Sequence, residues 1–200
     1  MEFQKEVMDE IFIALVDSLH WDHRIPLRPP PPPPPGFKEN DSTKRVRDSI
    51  RVLWIKEYHS KLDSIRKDTS KLNIGIHDTV NDERKRYLLD DLRSPKYNEY
   101  HWDTLTGYTS YRIDISNFQE NKLFRFKYGS ELPEDQNQWY ELGFHELIGF
   151  STIVFNKEKT NGALGAWSDC GRLCGSGFLV FIKKENGKWV IDKIELTSVS

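Results

Sequence analysis

The chain has 200 residues, of which 37% are hydrophobic and 12% aromatic, and this is enough to build one domain with an apolar core. Its net charge of −2 creates no overall field that would attract nucleic acid, so we expect no nucleic-acid partner. No stretch approaches the roughly 18 to 20 apolar residues of a membrane span, and the N-terminus lacks the pattern of a signal peptide. The chain as written is therefore expected to be cytoplasmic, or extracytoplasmic if Met1 replaces a removed leader.

Residues 1–23 are predicted to contain an amphipathic helix from Glu2 to His20. Its apolar residues recur every three or four positions, and this spacing places them on one stripe that faces a core. The stripe comprises Phe3, Val7, Met8, Ile11, Phe12, Leu15, Val16 and Leu19.

Residues 24–43 are predicted to form a proline-rich strap. Proline lacks an amide donor and has a fixed φ, so Pro29–Pro35 should form a polyproline II rod of about 20 Å. Arg28, Pro31 and Pro34 also match the spacing that SH3-type partners bind. Any proline run after an arginine meets that spacing, so we favour a strap between two helices over a ligand formed by residues 28–35.

Residues 44–92 are predicted to fold as helix, strand and helix. One of Asp41, Ser42 and Thr43 should cap a helix that runs to Lys67, because their side chains can accept its first free amides. Leu72–Ile76 alternates apolar and small or polar residues, as a half-buried strand does. A charged third helix follows over 81–92. The expected inward residues of the two helices are Val46, Ile50, Leu53, Trp54, Tyr58, Leu62 and Ile65, then Tyr87, Leu88 and Leu92.

Residues 93–146 form an aromatic-rich segment without a clean period. Short strands are predicted over Arg112–Ser116 and Lys122–Tyr128, and Leu132–Asp135 is predicted to be a loop.

Residues 147–200 are predicted to form an antiparallel β-meander. Phe178–Ile182 is apolar throughout, as a central strand is. Asn186 and Gly187 favour a type I′ hairpin turn. The apolar pattern from Trp189 to Leu196 shifts phase by one residue, which indicates a β-bulge. The glycine-rich segment between Asp169 and Phe178 is predicted to be a loop.

Cys170 and Cys174, the two cysteines of the chain, lie in this loop. They could form a disulfide, or remain two small thiols that pack the turn. A redox-active pair, a zinc site with His20 and His23, and a cysteine nucleophile with His145 or His77 as base are less favoured alternatives. The spacing and the flanking strands do not match those sites.

Five residues are candidates for ligand binding: Trp102, His145, Trp167, Asp169 and Arg172. The two tryptophans could line a pocket or a sheet face, and Asp169 and Arg172 could present charge at the mouth of a curved sheet. His145 and Glu146 could act as an acid/base pair, but adjacent residues on a strand point to opposite faces. No phosphate loop, nucleophile elbow or dinucleotide fingerprint occurs. We therefore assign no catalytic residue, metal or cofactor.

The C-terminal motifs resemble those of a group of uncharacterised bacterial proteins that includes exported members. The shared motifs are Phe155-Asn156-Lys157, Cys170-Gly171-Arg172-Leu173-Cys174-Gly175 and Asn186-Gly187-Lys188-Trp189. Helices followed by a curved meander also resemble the NTF2-like (SnoaL-like) fold, in which helices and a bent sheet form a conical pocket. That fold hosts enzymes and binding modules alike, so the resemblance does not decide function.

These observations predict a single α+β domain with N-terminal helices packed on a curved antiparallel sheet. We expect a non-catalytic module that binds a small ligand or a protein, possessing an NTF2-like pocket. A small hydrolase or isomerase that uses the same cavity, with His145, Asp169 or a cysteine as the reacting group, is the alternative. An enzyme should hold two titratable side chains within hydrogen-bond reach in its pocket.

Overall fold

The computed structural model describes residues 2–25, 40–81, 85–103, 110–171 and 174–199. The proline run, the SH3-type spacing from Arg28 to Pro35 and the candidate residue Arg172 therefore lie outside the described residues. The described residues form two compact units. The first unit contains the described residues of 1–21 and 71–200, and the second unit contains the described residues of 22–70.

The first unit contains three α-helices and one seven-stranded sheet among its described residues. The helices are α1 (Glu2–Leu19), α3 (Lys85–Leu92) and α4 (Gln136–Glu141). The strands are β1 (Leu72–Ile76), β2 (Phe124–Tyr128), β3 (Phe144–Phe150), β4 (Val154–Phe155), β5 (Asn161–Gly171), β6 (Cys174–Glu185) and β7 (Lys188–Val199). The α+β class is confirmed.

The spatial order of the sheet is β2-β1-β3-β5-β6-β7, and β4 also pairs with β5. The strands from β3 to β7 pair antiparallel, as the meander prediction required. The sheet as a whole is mixed, however, because β1 pairs in parallel with both β2 and β3. Pairing between segments so distant along the chain leaves no local pattern, so the sequence did not reveal it.

The largest core lies between α1 and one face of the sheet. The predicted stripe of α1 is buried from Val7 to Leu19, and Phe12 packs on Phe126 with ring centroids 5.2 Å apart. Residues on β6 divide between the two faces. Val180 and Ile182 belong to the α1 core, and Leu179 and Phe181 belong to a second core with Leu88 and Leu92 of α3. Burial on both faces explains why this strand is apolar throughout.

Several local predictions for the meander are confirmed. Asn186 and Gly187 have φ values of 52° and 83°, as the predicted hairpin turn requires. The bulge also occurs, because Phe181 pairs with Lys193 whereas Ile182 pairs with Ile191. The predicted loop between Asp169 and Phe178 is wrong over most of its length, since β5 continues to Gly171 and β6 begins at Cys174.

Two further local predictions require correction. Arg112–Ser116 is not a strand, since a 3₁₀ helix begins at Ile115, and Asp114 accepts a hydrogen bond from the Ser116 amide at 3.1 Å. Such a bond between a side chain and the nearby backbone competes with strand pairing. The cap of α2 (Asp41–Lys67), the helix of the second unit, is also one residue earlier than predicted. Asn40 accepts from the Thr43 amide at 2.8 Å.

The second unit consists of α2 and the turn at residues 22–25. Arg24 joins these parts by ion pairs to Asp22 at 2.8 Å and to Asp68 at 2.9 Å. No residue of α2 is buried, and Val46 and Leu53 are 59% and 67% exposed. Within the first unit, α1 is the helix that covers the sheet at its largest core.

Candidate functional site

A cleft lies where the parallel strands β1 and β2 end. Residues 77–79 follow β1 directly, and residues 129 and 130 follow β2. The carboxyl ends of parallel strands meet at one edge of a sheet, so their following residues converge there. The cleft has a volume of about 440 Å³, within the usual range for small-ligand sites. It is lined by His77, Asp78, Thr79, Asn81, Gly129, Ser130, Leu147 and Trp167.

The cleft opens on the sheet face opposite α1. Trp167 lies between Ala166 and Ser168 on β5, and Ala166 belongs to the α1 core. Side chains alternate between the faces of a strand, so Trp167 points away from α1. His77 likewise follows Ile76, a fully buried member of the same core. The cleft therefore lies on the sheet face that α1 does not cover.

Asp78, one of the lining residues of the cleft, is held by two donors on Ser130. The Ser130 amide donates at 2.9 Å and its hydroxyl at 2.6 Å, and the Arg112 guanidinium lies 3.3 Å from the carboxylate. Burial alone would raise the pKa of Asp78, but the Ser130 hydrogen bonds and the Arg112 charge outweigh it and lower the pKa. Asp78 is therefore a fixed negative charge that ties the end of β1 to the end of β2.

Trp167 forms the aromatic wall of the cleft. It pairs across the strands with Gly149, where a β-carbon would overlap the indole ring. The missing side chain of Gly149 lets the ring lie flat against β3, and Trp167 is 7% exposed. The His77 ring packs beside it, with centroids 5.5 Å apart. A close backbone approach of this kind is a common reason for glycine inside a strand.

Asp169 adds a second carboxylate beside His77. Its Oδ2 atom lies 3.6 Å from His77 Nε2, and half of the Asp169 side chain is exposed. Asp169 and Trp167 are two residues apart on β5, so they share a face. The structure thus brings together two of the predicted site residues with His77 and Asp78.

A disulfide and a side-chain hydrogen bond hold the chain just after Asp169 in place. Cys170 and Cys174 form a disulfide between β5 and β6, with Cα atoms 5.0 Å apart, so the disulfide alternative is confirmed. The Tyr140 hydroxyl donates to the Cys170 carbonyl at 2.7 Å. Neither sulfur is a thiol here, so the zinc and nucleophile interpretations, which need a free cysteine, do not describe this form of the protein.

The other two candidates lie apart from the cleft. His145 packs against Tyr140 at 5.4 Å, and burial lowers its pKa. Glu146 is buried toward α1, where it accepts from the Ser168 hydroxyl at 2.8 Å. This separation shows why the two neighbours do not form an acid/base pair. Trp102 stacks on Tyr100 at 5.0 Å, within the core that contains α3.

Sequence reasoning missed Asp78 and Ser130 and named His77 solely as a possible base for a cysteine. The usable signal was positional, since polar residues follow directly after two apolar strands. Without the parallel pairing of β1 and β2, however, nothing indicates that these two strand ends meet.

Across the described ranges, no group of three or more His, Cys, Asp or Glu side chains is arranged to hold a metal ion. In the same part of the chain, no helix combines the length and apolarity needed to cross a membrane.

The fold and the cleft define an α+β protein whose mixed sheet carries a polar, tryptophan-walled cleft opposite its N-terminal helix. Comparison with known proteins gives no match to a family model, to a curated protein or to a solved structure.

Proposed function

We propose that this protein is a non-catalytic module that binds a small organic ligand in the cleft at the ends of β1 and β2. One observation carries the proposal. Polar groups from two strand ends, His77, Asp78 and Ser130, converge with the Trp167 ring on one cavity of about 440 Å³. An aromatic wall with a few convergent polar groups is the usual composition of a ligand site.

The hydrogen bonds of Asp78 favour binding over catalysis. Its carboxylate accepts from Ser130 twice and pairs with Arg112, so it is occupied in holding the two strand ends together. A general base instead needs a basic atom that reaches the reacting proton. Asp78 and Ser130 therefore support a role in shaping the cleft.

A screen of small soluble compounds by protein NMR tests the proposal. The panel should contain amines, carboxylates, sugars and nucleosides. We expect some compounds to shift the amide signals of 77–81, 129–130 and 167, and we expect His77→Ala to abolish these shifts. His59→Ala on α2, which lies in the second unit, is the matched control and should leave them unchanged. Failure of the whole panel, or hits that persist in His77→Ala, would contradict the proposal.

One contact favours a second candidate, a small hydrolase or isomerase. His77 Nε2 lies 3.6 Å from Asp169 Oδ2, and such a pair can tighten into an acid/base dyad when substrate binds. This function predicts turnover of chromogenic ester or phosphate substrates that disappears in both His77→Ala and Asp169→Asn and persists in His59→Ala. Turnover that survives these changes, or no turnover, would favour the binding module.

A further inference from the structure

We propose that one side of α2 is a docking surface for the proline run of the same chain, so that residues 26–39 and this helix form an antiparallel hairpin. The surface, called the docking stripe below, consists of Arg51, Ile55, Tyr58, Leu62 and Ile65. The inference concerns the second unit and is independent of the cleft. Residues 26–39 lie outside the described part of the chain, but the residues on both sides of this segment are described.

The two ends of the segment lie at opposite ends of α2. Arg24 donates at 2.9 Å to Asp68, the C-terminal cap of the helix, and two further hydrogen bonds to Asp22 hold its guanidinium. The segment therefore starts beside the C-terminus of α2. It ends at Asn40, whose side chain caps the N-terminus by accepting from the Thr43 amide. Residues between these ends must cover the whole length of α2 in the opposite direction.

The length of the segment confines it to the neighbourhood of the helix. A helix of 27 residues is about 40 Å long. In the polyproline II conformation, which a proline run favours, the steps from Ile25 to Asn40 cover about 46 Å, and even a fully stretched chain covers only about 50 to 54 Å. A segment with so little spare length cannot loop far from the straight path, so it runs beside α2.

The same distances give the register of the hairpin. At about 3.1 Å per residue for the segment and 1.5 Å for the helix, Pro29–Pro35 come opposite about residues 47 to 60. Ile55 and Tyr58 lie within this range and are half-buried, whereas Leu53, on another side of α2, is exposed. Aromatic side chains are the surface on which polyproline II ligands pack. The docking stripe thus lies where the proline rings need it.

The docking stripe also carries a donor that suits a chain of prolines. The Nε atom of Arg51 is buried, and no described residue accepts a hydrogen bond from it. Buried donors in native structures have acceptors. A proline keeps its carbonyl oxygen but has no amide hydrogen, and the register places Arg51 opposite about residue 33. We therefore assign a proline carbonyl as the acceptor of Arg51.

Proton–proton contacts in the full chain test the docking directly. We expect nuclear Overhauser effects between the Tyr58 ring protons and the ring protons of Pro29–Pro31. A mixed sample of isotope-labelled and unlabelled protein separates contacts within one chain from contacts between two chains. The absence of these effects, or their appearance between chains alone, would overturn the proposal.

Amide exchange measures what docking contributes to α2. Tyr58→Ala removes the ring at the centre of the docking stripe and should speed exchange of amides 55–62 about 5- to 30-fold. Without docking, alanine should slow this exchange, because it is the better helix former. Leu53→Ala, on the exposed side of the same helix, is the matched control and should change these rates less than about 2-fold.

A combined variant shows whether the proline rings are the partner of Tyr58. Replacing Pro29–Pro35 by serines keeps the length of the segment but removes its rings, and it should speed the same amides. Tyr58→Ala should then have no further accelerating effect. Equal acceleration by Tyr58→Ala in both backgrounds, or equal effects of Tyr58→Ala and Leu53→Ala, would refute the docking. Protection of α2 that rises with protein concentration would also refute it, because a second copy would then cover the stripe.

Discussion

Gly149→Ala should destabilise the protein through one contact, the packing of the Trp167 indole against β3. A β-carbon at this position would overlap the indole ring, so the ring or the strand must move. Overpacking of this kind costs about 1–3 kcal/mol of unfolding free energy. The lower backbone entropy of alanine in the unfolded chain offsets about 0.4–1 kcal/mol of that cost. We therefore expect a net loss of about 1–2 kcal/mol.

Gly165→Ala is the matched control for this change. Gly165 lies on β5 of the same sheet, and a β-carbon there would meet Ser151 Oγ at 3.5 Å, an ordinary contact. Urea unfolding followed by circular dichroism should show Gly165→Ala as stable as the parent or more stable by up to about 1 kcal/mol, because the entropy term acts there without a clash. Unchanged m-values in both variants would show that stability, and not the extent of unfolding, has changed.

A double-mutant cycle tests whether the indole is the cause. Trp167→Leu removes the ring that the new methyl group would strike. Gly149→Ala should therefore cost less in the Trp167→Leu background than in the parent, with a coupling of about 1 kcal/mol or more. Equal costs in the two backgrounds, or a Gly149→Ala variant as stable as Gly165→Ala, would refute the packing argument.

Three further predictions concern the disulfide, the carboxylate of Glu195 and the N-terminal cap of α2. Replacing Cys170 and Cys174 by serine should cost about 2 kcal/mol in the chain-entropy model for so short a loop, which thermal unfolding with and without a reductant would measure. Glu195 accepts hydrogen bonds from Lys193, Lys96 and Tyr97, and these lower its pKa to about 2. Because the folded-state pKa is depressed, its stabilisation is present above the unfolded pKa near 4.5 and is lost as the pH falls toward about 2. Asn40→Ala should remove about 1 kcal/mol from α2, measurable as faster amide exchange in its first turn.

Each of these predictions has its own control. Serine variants that melt at the same temperature as the oxidised parent, or a parent whose melting temperature does not change on adding reductant, would contradict the disulfide estimate. Glu195→Gln should flatten the loss of stability between pH 4.5 and 2, whereas Glu57→Gln on α2 should not. Asn40→Asp should keep the cap, since aspartate also accepts from the Thr43 amide. If Asn40→Asp loosens the first turn as much as Asn40→Ala, the cap is not the cause.

The local features that sequence predicted correctly each depend on neighbours along the chain. The stripe of α1 follows from helical spacing, the turn at Asn186 and Gly187 from their tolerance of positive φ, and the bulge in β7 from a shift in alternation. The glycine-rich strand ends around Cys170 were missed because strands are predicted from alternating apolar and polar side chains, and glycine has no side chain. There, backbone pairing with neighbouring strands outweighs local preference.

The sequence by itself determined the α+β class, the antiparallel meander and the helix that covers it, because periodicity and turn chemistry act over a few residues. Tertiary structure alone decided that β1 lies between β2 and β3, segments separated from it by about 50 to 70 residues. That pairing brings His77 and Asp78 to Ser130 and Trp167 and so creates the cleft.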